Sequence, residues 1–130
     1  MINIGVDLHG VIDSNIDLFE TLSIAVRLHG CKIYIISGPP KEDVEKELEN
    51  IRVYKDIHYD ELFTIVDYLK SIKAKMWLGE KNTWWASDED WWGAKAAICE
   101  HLKIDIMIDN TEMYKPYFKN IKTKFLLYTE

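Results

Sequence analysis

Short apolar runs alternate with helix-patterned segments along this chain, and that alternation constrains the fold more than any other feature. Apolar strands separated by helices build right-handed β-α-β units, whose parallel sheet is buried on both faces. We therefore expect an α/β fold: a single domain over residues 1–130, built as a Rossmann-like three-layer sandwich around a five-stranded, mostly parallel sheet. The five expected strands are Ile2–Val6, Lys32–Ile36, Lys75–Leu78, Ile104–Ile108 and Lys124–Tyr128.

The segments between these strands carry helix signals. Residues that cap or open a helix stand where each segment begins, and apolar residues follow at helical spacing. The expected helix starts are Asp13 or Ser14, Pro39-Pro40, Asp60, and Ser87 or Asp88. The expected buried faces are Leu18, Leu22, Ala25 and Val26 in the first helix, Val44, Leu48 and Ile51 in the second, and Leu62, Ile65, Val66 and Leu69 in the third.

The composition argues against some classes of function. With 16 basic and 22 acidic residues the formal charge is −6, so we expect no general binding to nucleic-acid backbones, which requires a cationic face. No apolar run approaches the roughly 18 residues of a membrane span, and the first residues do not resemble a signal peptide. Cys31 and Cys99 lack metal-ligand spacing and are expected as small buried hydrophobes. We therefore expect a cytoplasmic protein without a membrane partner.

Three predicted strands end on polar residues whose chemistry fits together. Asp7 follows the first strand, Ser37-Gly38 the second and Asp109-Asn110 the fourth. If the first strand is central, these ends share one crevice, which is where ligands bind in such sheets. Two carboxylates there would repel unless a cation lies between them, and hard oxygen ligands favour Mg²⁺. A hydroxyl, a backbone N–H and a nearby lysine would suit a phosphate group.

The same positions carry a resemblance to a known family. Four segments match, in order and spacing, the motifs of the haloacid dehalogenase-like (HAD) superfamily of phosphohydrolases: a strand ending in Asp-x-Asp-Gly, a strand ending in Ser or Thr, a lysine at a helix start, and a strand ending in acids. The chain resembles a small, capless member over nearly its whole length. The matching segments are Ile4–Ile12, Ile33–Gly38, Trp92–Ala97 with Lys95, and Ile106–Asn110.

The resemblance implies a Mg²⁺-dependent phosphomonoesterase that acts on a small phosphorylated substrate, such as a nucleotide, through an aspartyl-phosphate. Asp7 would be the catalytic nucleophile, since covalent catalysis splits one difficult step into two easier ones. Asp7, Asp109 and the backbone carbonyl of His9 would hold Mg²⁺, which helps to offset charge on the transferring group. The residues that would hold the phosphoryl group are Ser37, Gly38 and Lys95.

Two positions depart from the pattern of the family. His9 stands where the family has its acid/base aspartate, and Asn110 stands where it has a further acid. An imidazole can itself do general acid–base work near neutral pH, so His9 is a catalytic candidate. The alternative is a catalytically impaired binding or regulatory domain that keeps the fold and the metal pocket.

Each candidate also has a plain structural interpretation. Asp7 could merely end a strand, Ser37 could be a turn residue, and Asp109 could cap the segment after it. Lys95 could be a solvated charge, as lysines near helix starts commonly are. Lys75 and Lys81 compete with Lys95 for the role of the phosphate-binding lysine. Asp13 could either cap the first helix or be an acid at the edge of the site.

A phospho-acceptor domain similar to response-regulator receivers is a further alternative, because receivers also use an aspartate and Mg²⁺ on a parallel sheet. Receivers place the acceptor aspartate after the third strand. The predicted third strand here ends Trp77-Leu78-Gly79-Glu80, without that aspartate. The sequence therefore argues against a receiver.

All five tryptophans fall between residues 77 and 92. Trp77 lies in a predicted strand and is expected in the core. Trp84 and Trp85 lie in a polar loop on the approach to the site, where they either stack on a nucleobase or pack over the sheet. The spacing between the motifs leaves no room for a large cap, so we expect an open site.

Overall fold

A computed structural model describes residues 1–129 and places a parallel sheet between two layers of helices. The strands are β1 (Asn3–Val6), β2 (Lys32–Ser37), β3 (Glu61–Thr64), β4 (Met76–Leu78), β5 (Trp84–Ala86), β6 (Ile106–Asp109) and β7 (Lys124–Leu127). The α-helices are α1 (Ile16–Leu28), α2 (Lys41–Asn50), α3 (Ile65–Ser71) and α4 (Asp88–Leu102). Five strands form the main sheet in the order β3-β2-β1-β6-β7, and every neighbouring pair is parallel. The predicted Rossmann-like three-layer sandwich is confirmed.

An apolar core on each face of the sheet holds the layers together. Helices α1 and α2 contribute Phe19 and Leu48 to the core on one face. Helices α3 and α4 contribute Leu69 and Ile98 to the core on the other face. Because burying each such side chain contributes roughly 1.5–3 kcal/mol, the sheet is fixed from both sides.

The register of the three middle strands brings their carboxyl ends together. Val6 of β1 lies level with Ile35 of β2 and Ile108 of β6. Parallel strands run in one direction, so Asp7 and Asp109, which follow Val6 and Ile108, reach the same edge of the sheet. Strand β1 lies between β2 and β6, which is the condition for the three strand ends to share one crevice.

The predicted third strand is wrong. The segment Met76–Leu78 is β4, which pairs antiparallel with β5 in a hairpin outside the main sheet. Trp77, expected in the core, is therefore 48% exposed. The strand that completes the main sheet is β3, and the other four predicted strands correspond to β1, β2, β6 and β7.

Asp60 does not cap a helix. Helix α3 begins only at Ile65 and is capped by the Thr64 hydroxyl. Asp60 instead accepts a hydrogen bond from the backbone N–H of Ile33 at 2.8 Å and pairs with the Arg27 guanidinium at 3.1 Å. The sequence misled here because a short strand that runs directly into a short helix shows apolar residues at the same spacing as one longer helix.

Helix α1 begins later than expected and faces differently. Asn15 caps it by accepting from the Leu18 backbone N–H at 3.1 Å, because Asp13 and Ser14 are engaged in the turn that follows β1. Phe19 is buried against the sheet. Of the residues predicted to form the buried face, Leu18, Leu22 and Ala25 are exposed and Val26 is half-buried.

The remaining helix starts agree with the sequence. Helix α2 begins directly after Pro40, and the Ser87 hydroxyl caps α4. Cys99 is buried as predicted, whereas Cys31 is only half-buried. Within residues 1–129, every helix is too short or too polar to cross a membrane.

Candidate active site

Three charged side chains meet in the interior at the carboxyl edge of the sheet. Asp7 follows β1, Asp109 ends β6, and Lys95 projects from α4. The Lys95 ammonium donates to Asp109 Oδ2 at 2.6 Å and lies 3.2 Å from Asp7 Oδ1. All three side chains are buried, and Lys95 is only 1% exposed. One ammonium therefore joins the two carboxylates that were expected to converge.

Small residues around Lys95 let α4 pack closely on its neighbours, among them the 3₁₀ helix Glu112–Phe118. Ala94 and Ala96 flank the lysine and are buried. Gly93 packs so tightly on Tyr117 that a Cβ at position 93 would lie 3.2 Å from the ring. The two competing lysines are exposed, as would be expected of solvated charges: Lys75 and Lys81.

Burial and mutual charge set the protonation of the cluster. Burial raises the pKa of Asp7; the Lys95 ammonium opposes that rise, the Asp109 carboxylate adds to it, and the net pKa is raised. Burial lowers the pKa of Lys95, but the two carboxylates outweigh it and the net pKa lies above its ordinary 10.5. With Lys95 charged and both acids ionised, the cluster carries one excess negative charge, which a further cation would offset.

The segment after β6 closes one side of the cluster. Asp109 Oδ1 accepts from the backbone N–H of Thr111 at 3.0 Å, so Asp109 also fixes the turn into the 3₁₀ helix Glu112–Phe118. The buried ring of Tyr114 lies 4.4 Å from the Lys95 ammonium in a cation–π contact. Sequence reasoning missed Tyr114, because an irregular segment carries no periodicity that shows which aromatic residue faces inward.

Ser37 is the last residue of β2 and not a turn residue. Its hydroxyl oxygen is buried and makes no hydrogen bond within residues 1–129. Buried polar atoms are nearly always paired, so an unpartnered hydroxyl in this crevice is free to bind a ligand oxygen. Gly38 follows it and is half-buried.

A tight turn follows Asp7. The N–H of Ile12 donates to the carbonyl of Asp7 at 3.4 Å, which makes Leu8–Ile12 a single π-type turn. Gly10 has φ +80°, in the left-handed region, and its N–H donates to Asp13 Oδ1 at 2.7 Å. A Cβ at position 10 would lie 2.0 Å from the Asn110 amide nitrogen. Asp13 therefore closes this turn and does not cap α1.

His9 pairs outside the acidic cluster. Its Nε2 contacts the carboxylate Oε2 of Glu47 on α2, and both side chains are 46% exposed. Charged residues on an exposed helix face are usually solvated, so the sequence gave no signal that Glu47 holds His9. The contact joins residues that lie 38 positions apart, and only the fold brings them together.

Two close contacts border the site. Gly10 packs against Asn110, and Gly38 packs against Trp91. The solvent-facing rim consists of exposed or half-buried residues: His9, Gly10, Gly38 and Asn110. The four residues at the centre are at most 6% exposed: Asp7, Ser37, Lys95 and Asp109.

The oxygen donors at this edge fit Mg²⁺. Asp7 and Asp109 both lie within contact distance of one ammonium, so one cation can reach both carboxylates. No third Asp, Glu, His or Cys side chain joins them within residues 1–129. The remaining ligands would be backbone oxygens, such as the His9 carbonyl, and water, several molecules of which Mg²⁺ usually keeps. The His9 side chain is engaged by Glu47 and is not part of this donor set.

Comparison with known proteins supports the fold alone. No protein-family model and no curated protein matches this chain. A solved structure, that of an uncharacterized protein from Corynebacterium glutamicum, is similar, with a TM-score of 0.58 and 14% sequence identity. The similarity covers 100% of this chain and 86% of that chain. The Rossmann-like α/β architecture is thus shared with that protein.

Proposed function

We propose that this chain is a Mg²⁺-dependent phosphomonoesterase of the HAD type, with Asp7 as the nucleophile. The observation that carries the proposal is the buried Asp7–Lys95–Asp109 cluster, beside which the Ser37 hydroxyl has no partner within residues 1–129. Burying charged groups costs free energy, so an apolar core at this position would stabilise the fold about as well as the cluster does. Groups with strongly perturbed pKa values are common at functional sites, where they serve charged ligands.

The reaction we propose has two displacements at phosphorus. In the first, a carboxylate oxygen of Asp7 forms a bond to phosphorus, the ester P–O bond breaks, and the alcohol leaves with one added proton. In the second, water attacks the aspartyl-phosphate, loses one proton, and releases inorganic phosphate and the free carboxylate. Lys95 and Ser37 hydrogen-bond the phosphoryl oxygens, and bound Mg²⁺ supplies charge that stabilises the transferring group.

We assign the proton transfers to His9. The imidazole lies on the turn that directly follows Asp7, at the rim of the site. Glu47 occupies Nε2, which leaves Nδ1 to serve the leaving alcohol and then the attacking water. A carboxylate that holds one ring nitrogen also fixes the orientation of the ring, as in other enzymes that use a histidine as acid and base.

The substrate we propose is a small phosphomonoester. The burial of the cluster and the net charge of −6 favour a small molecule over a nucleic-acid chain. A cytoplasmic location belongs to the same proposal and is supported by two thiols that form no disulfide, Cys31 and Cys99.

A second candidate function is binding of Mg²⁺ and a phosphorylated ligand without turnover. The observation that favours it is the pairing of His9 with Glu47, outside the cluster, at the position where the HAD family has an acid/base aspartate. Under this alternative the His9→Asp variant gains hydrolysis that the wild type lacks. Robust hydrolysis by the wild type would exclude it.

Phosphate release with and without EDTA tests the proposed function. We expect Mg²⁺-dependent hydrolysis within a panel of nucleotides, sugar phosphates and phosphopeptides, with loss of roughly 10³-fold or more in Asp7→Asn. Asp17→Asn is the matched control, because Asp17 is an exposed aspartate on α1, whereas the aspartates of the cluster are buried. Absence of activity across the panel, or equal activity of Asp7→Asn and the control, would contradict the proposal.

A further inference from the structure

A cavity of about 600 Å³ lies beside the proposed site, between the β4–β5 hairpin, the start of α4 and the segment after β2. Its size falls in the range of roughly 300–1,000 Å³ that is usual for ligand pockets. Four of the five tryptophans of the chain line it, which is more aromatic surface than the proposed chemistry requires. The apolar wall consists of Pro39, Pro40, Trp84, Trp85, Trp91 and Trp92.

The cavity lies next to one of the proposed phosphate-binding residues. The Trp91 ring, which lines the cavity, packs against Gly38, where a Cβ would lie 3.1 Å from Trp91 Cζ2. Glu47, the partner of His9, also lines the cavity. A phosphate held by Ser37 and Gly38 would therefore lie beside the tryptophan wall.

Carboxylates outnumber cationic groups on the cavity wall. Asp43, Glu47 and Asp88 line it, against the single ammonium of Lys81. All four side chains belong to exposed residues, so their charges lie where an entering ligand meets them. This surplus of negative charge repels additional phosphate groups and attracts positive charge.

One of these tryptophans already binds a cation. The Lys70 ammonium lies 4.2 Å from the ring centroid of Trp84. Lys70 lines a neighbouring pocket on the α3 side together with Trp84 and does not line the tryptophan cavity itself. Indole faces attract ammonium groups through the negative face of the ring, and aromatic walls with nearby carboxylates suit alkylated ammonium ions.

We propose that the cavity binds an organic ammonium group carried by the alcohol of the substrate. The proposal rests on the proposed function for the position of the phosphate, whereas the affinity of the cavity for an ammonium ion does not depend on turnover. The indole faces contact the alkyl groups, and Asp43 and Asp88 offset the charge. A neutral nucleobase would stack on the same rings but would gain nothing from the carboxylates.

Choline binding followed by tryptophan fluorescence tests this inference. Choline carries the ammonium group and no phosphate, so the measurement is independent of hydrolysis. We expect a saturable fluorescence change, and binding about tenfold weaker for the neutral carbon isostere of choline, in which carbon replaces nitrogen. Equal affinity for the two compounds, no saturation, or tighter binding of adenosine than of choline would overturn the inference.

Two variants locate the binding. Trp84→Leu keeps the wall apolar but removes the indole face, and we expect choline binding to weaken by about 2- to 30-fold. Asp43→Asn should weaken choline binding and leave the neutral isostere unaffected. Glu49→Gln is the matched control, because Glu49 lies on the same helix but outside the cavity. Choline binding at wild-type strength in both Trp84→Leu and Asp43→Asn would overturn the inference.

Hydrolysis assays separate this inference from the proposed function. The two substrates are choline phosphate and the phosphate ester of the neutral isostere. A higher kcat/KM for choline phosphate supports both proposals. Equal hydrolysis of the two esters overturns the inference and leaves the proposed function standing. Choline binding without hydrolysis of either ester, or of any phosphate in the wider panel, supports the inference and overturns the proposed function.

Discussion

At the scale of single residues, the Lys95 ammonium offsets the negative charge of the two buried carboxylates. Its ammonium is the cation that contacts both Asp7 and Asp109, and little water reaches the three groups. Coulomb interactions are strong in such surroundings because the effective dielectric constant is low. Removing one of these charges therefore changes the electrostatic free energy of the other two groups substantially.

Replacing Lys95 with methionine keeps the volume of the side chain and removes the charge. We expect Lys95→Met to lower the free energy of unfolding by about 3–5 kcal/mol, because two buried carboxylates then face each other without a cation. Denaturant unfolding checks the prediction. The matched control is Lys46→Met, at an exposed lysine on α2, which should change stability little. Equal effects of the two substitutions would contradict this account of the cluster.

Asp7 is expected to reduce the stability of the metal-free protein. Its folded-state pKa is raised, mainly by burial, so the folded state binds this proton more tightly than the unfolded state, whose pKa is near 3.8. Stability from this group is thus gained as pH falls through the folded pKa and is lost as pH rises. We predict that Asp7→Asn raises the melting temperature at pH 7, and that its advantage over wild type shrinks toward acid pH.

The effect of Mg²⁺ on the melting temperature is a second measurement that distinguishes Asp7→Asn from the wild type. Mg²⁺ should raise the melting temperature of the wild type, since a ligand that binds only the folded state stabilises it. It should raise that of Asp7→Asn much less, because one carboxylate ligand is missing. Equal Mg²⁺ effects on the two proteins would mean that Asp7 does not bind the ion.

Individual residues differ in how far the sequence could predict them. Asp7 follows a strand, and Ser37 and Asp109 are the last residues of two others. Parallel strands bring their ends to one edge of the sheet, so the proximity of these residues could be predicted. Lys95 was harder to select because several lysines lie near helix starts. The contact between Glu47 and His9 depends on side-chain directions across two elements, and no local pattern encodes it.

At the scale of elements, the turn after β1 packs against the residue that follows β6, beside the proposed site. Gly10 has a positive φ and faces Asn110 with no space for a side chain. Gly30 has φ +87° but no atom within 4 Å of a hypothetical Cβ. Comparing substitutions at the two glycines therefore separates the cost of a positive φ from the cost of a collision between the added Cβ and its neighbours.

Substituting each of these glycines by alanine tests the turn. We expect Gly30→Ala to cost roughly 1 kcal/mol from backbone strain alone. Gly10→Ala should cost more, roughly 1–3 kcal/mol, and should impair any phosphatase activity, because the Asn110 side chain must also move away. Thermal unfolding and phosphate release measure the two effects. A Gly10→Ala variant that is as stable and as active as Gly30→Ala would contradict the role given to this turn.

The elements also show where sequence patterns fail. Strand β3 leads directly into α3, so apolar residues of both elements fall at helical spacing and resemble one longer helix. The run Met76–Leu78 has the composition of a buried strand but lies in an exposed hairpin. Propensity and composition do not record which side chains meet the core, and that is fixed only by tertiary packing.

At the scale of the whole molecule, buried groups that can lose a proton limit stability in alkali. Burial raises the pKa of the Cys99 thiol from 9.0 to about 12. The unfolded state therefore loses this proton first, and stability falls as pH rises between those values. Lys95, with a raised pKa, stabilises the fold fully below 10.5 and loses that contribution as pH rises through its folded pKa.

Unfolding experiments between pH 9 and pH 12 test the contribution of Cys99. Each pH unit in that window should remove about 1.4 kcal/mol through this thiol. Cys99→Ala should therefore show a shallower loss of stability with pH than the wild type, although the substitution also leaves a small cavity. Cys31→Ala is the control, because Cys31 is only half-buried. Parallel pH profiles for wild type and Cys99→Ala would contradict the prediction.

The architecture of the whole molecule was the most predictable level. Alternation of strands and helices with right-handed crossovers was sufficient to predict the α/β architecture, whereas the central position of the first strand was an assumption that the sheet order bears out. The close contacts at Gly10 and Gly38 were not predictable, because they depend on tertiary packing. The tryptophan cavity likewise arises from the β4–β5 hairpin, whose position no local pattern specifies.

The central claim is that Asp7 becomes phosphorylated during turnover. Trapping that intermediate tests the claim directly. The protein is mixed with Mg²⁺ and a phosphomonoester that it hydrolyses, and the reaction is quenched in acid. Borohydride then reduces any aspartyl-phosphate to homoserine. Peptide mass spectrometry should then find homoserine at position 7, and only when both Mg²⁺ and substrate are present. Turnover without conversion at position 7, or conversion at another aspartate instead, would contradict the claim.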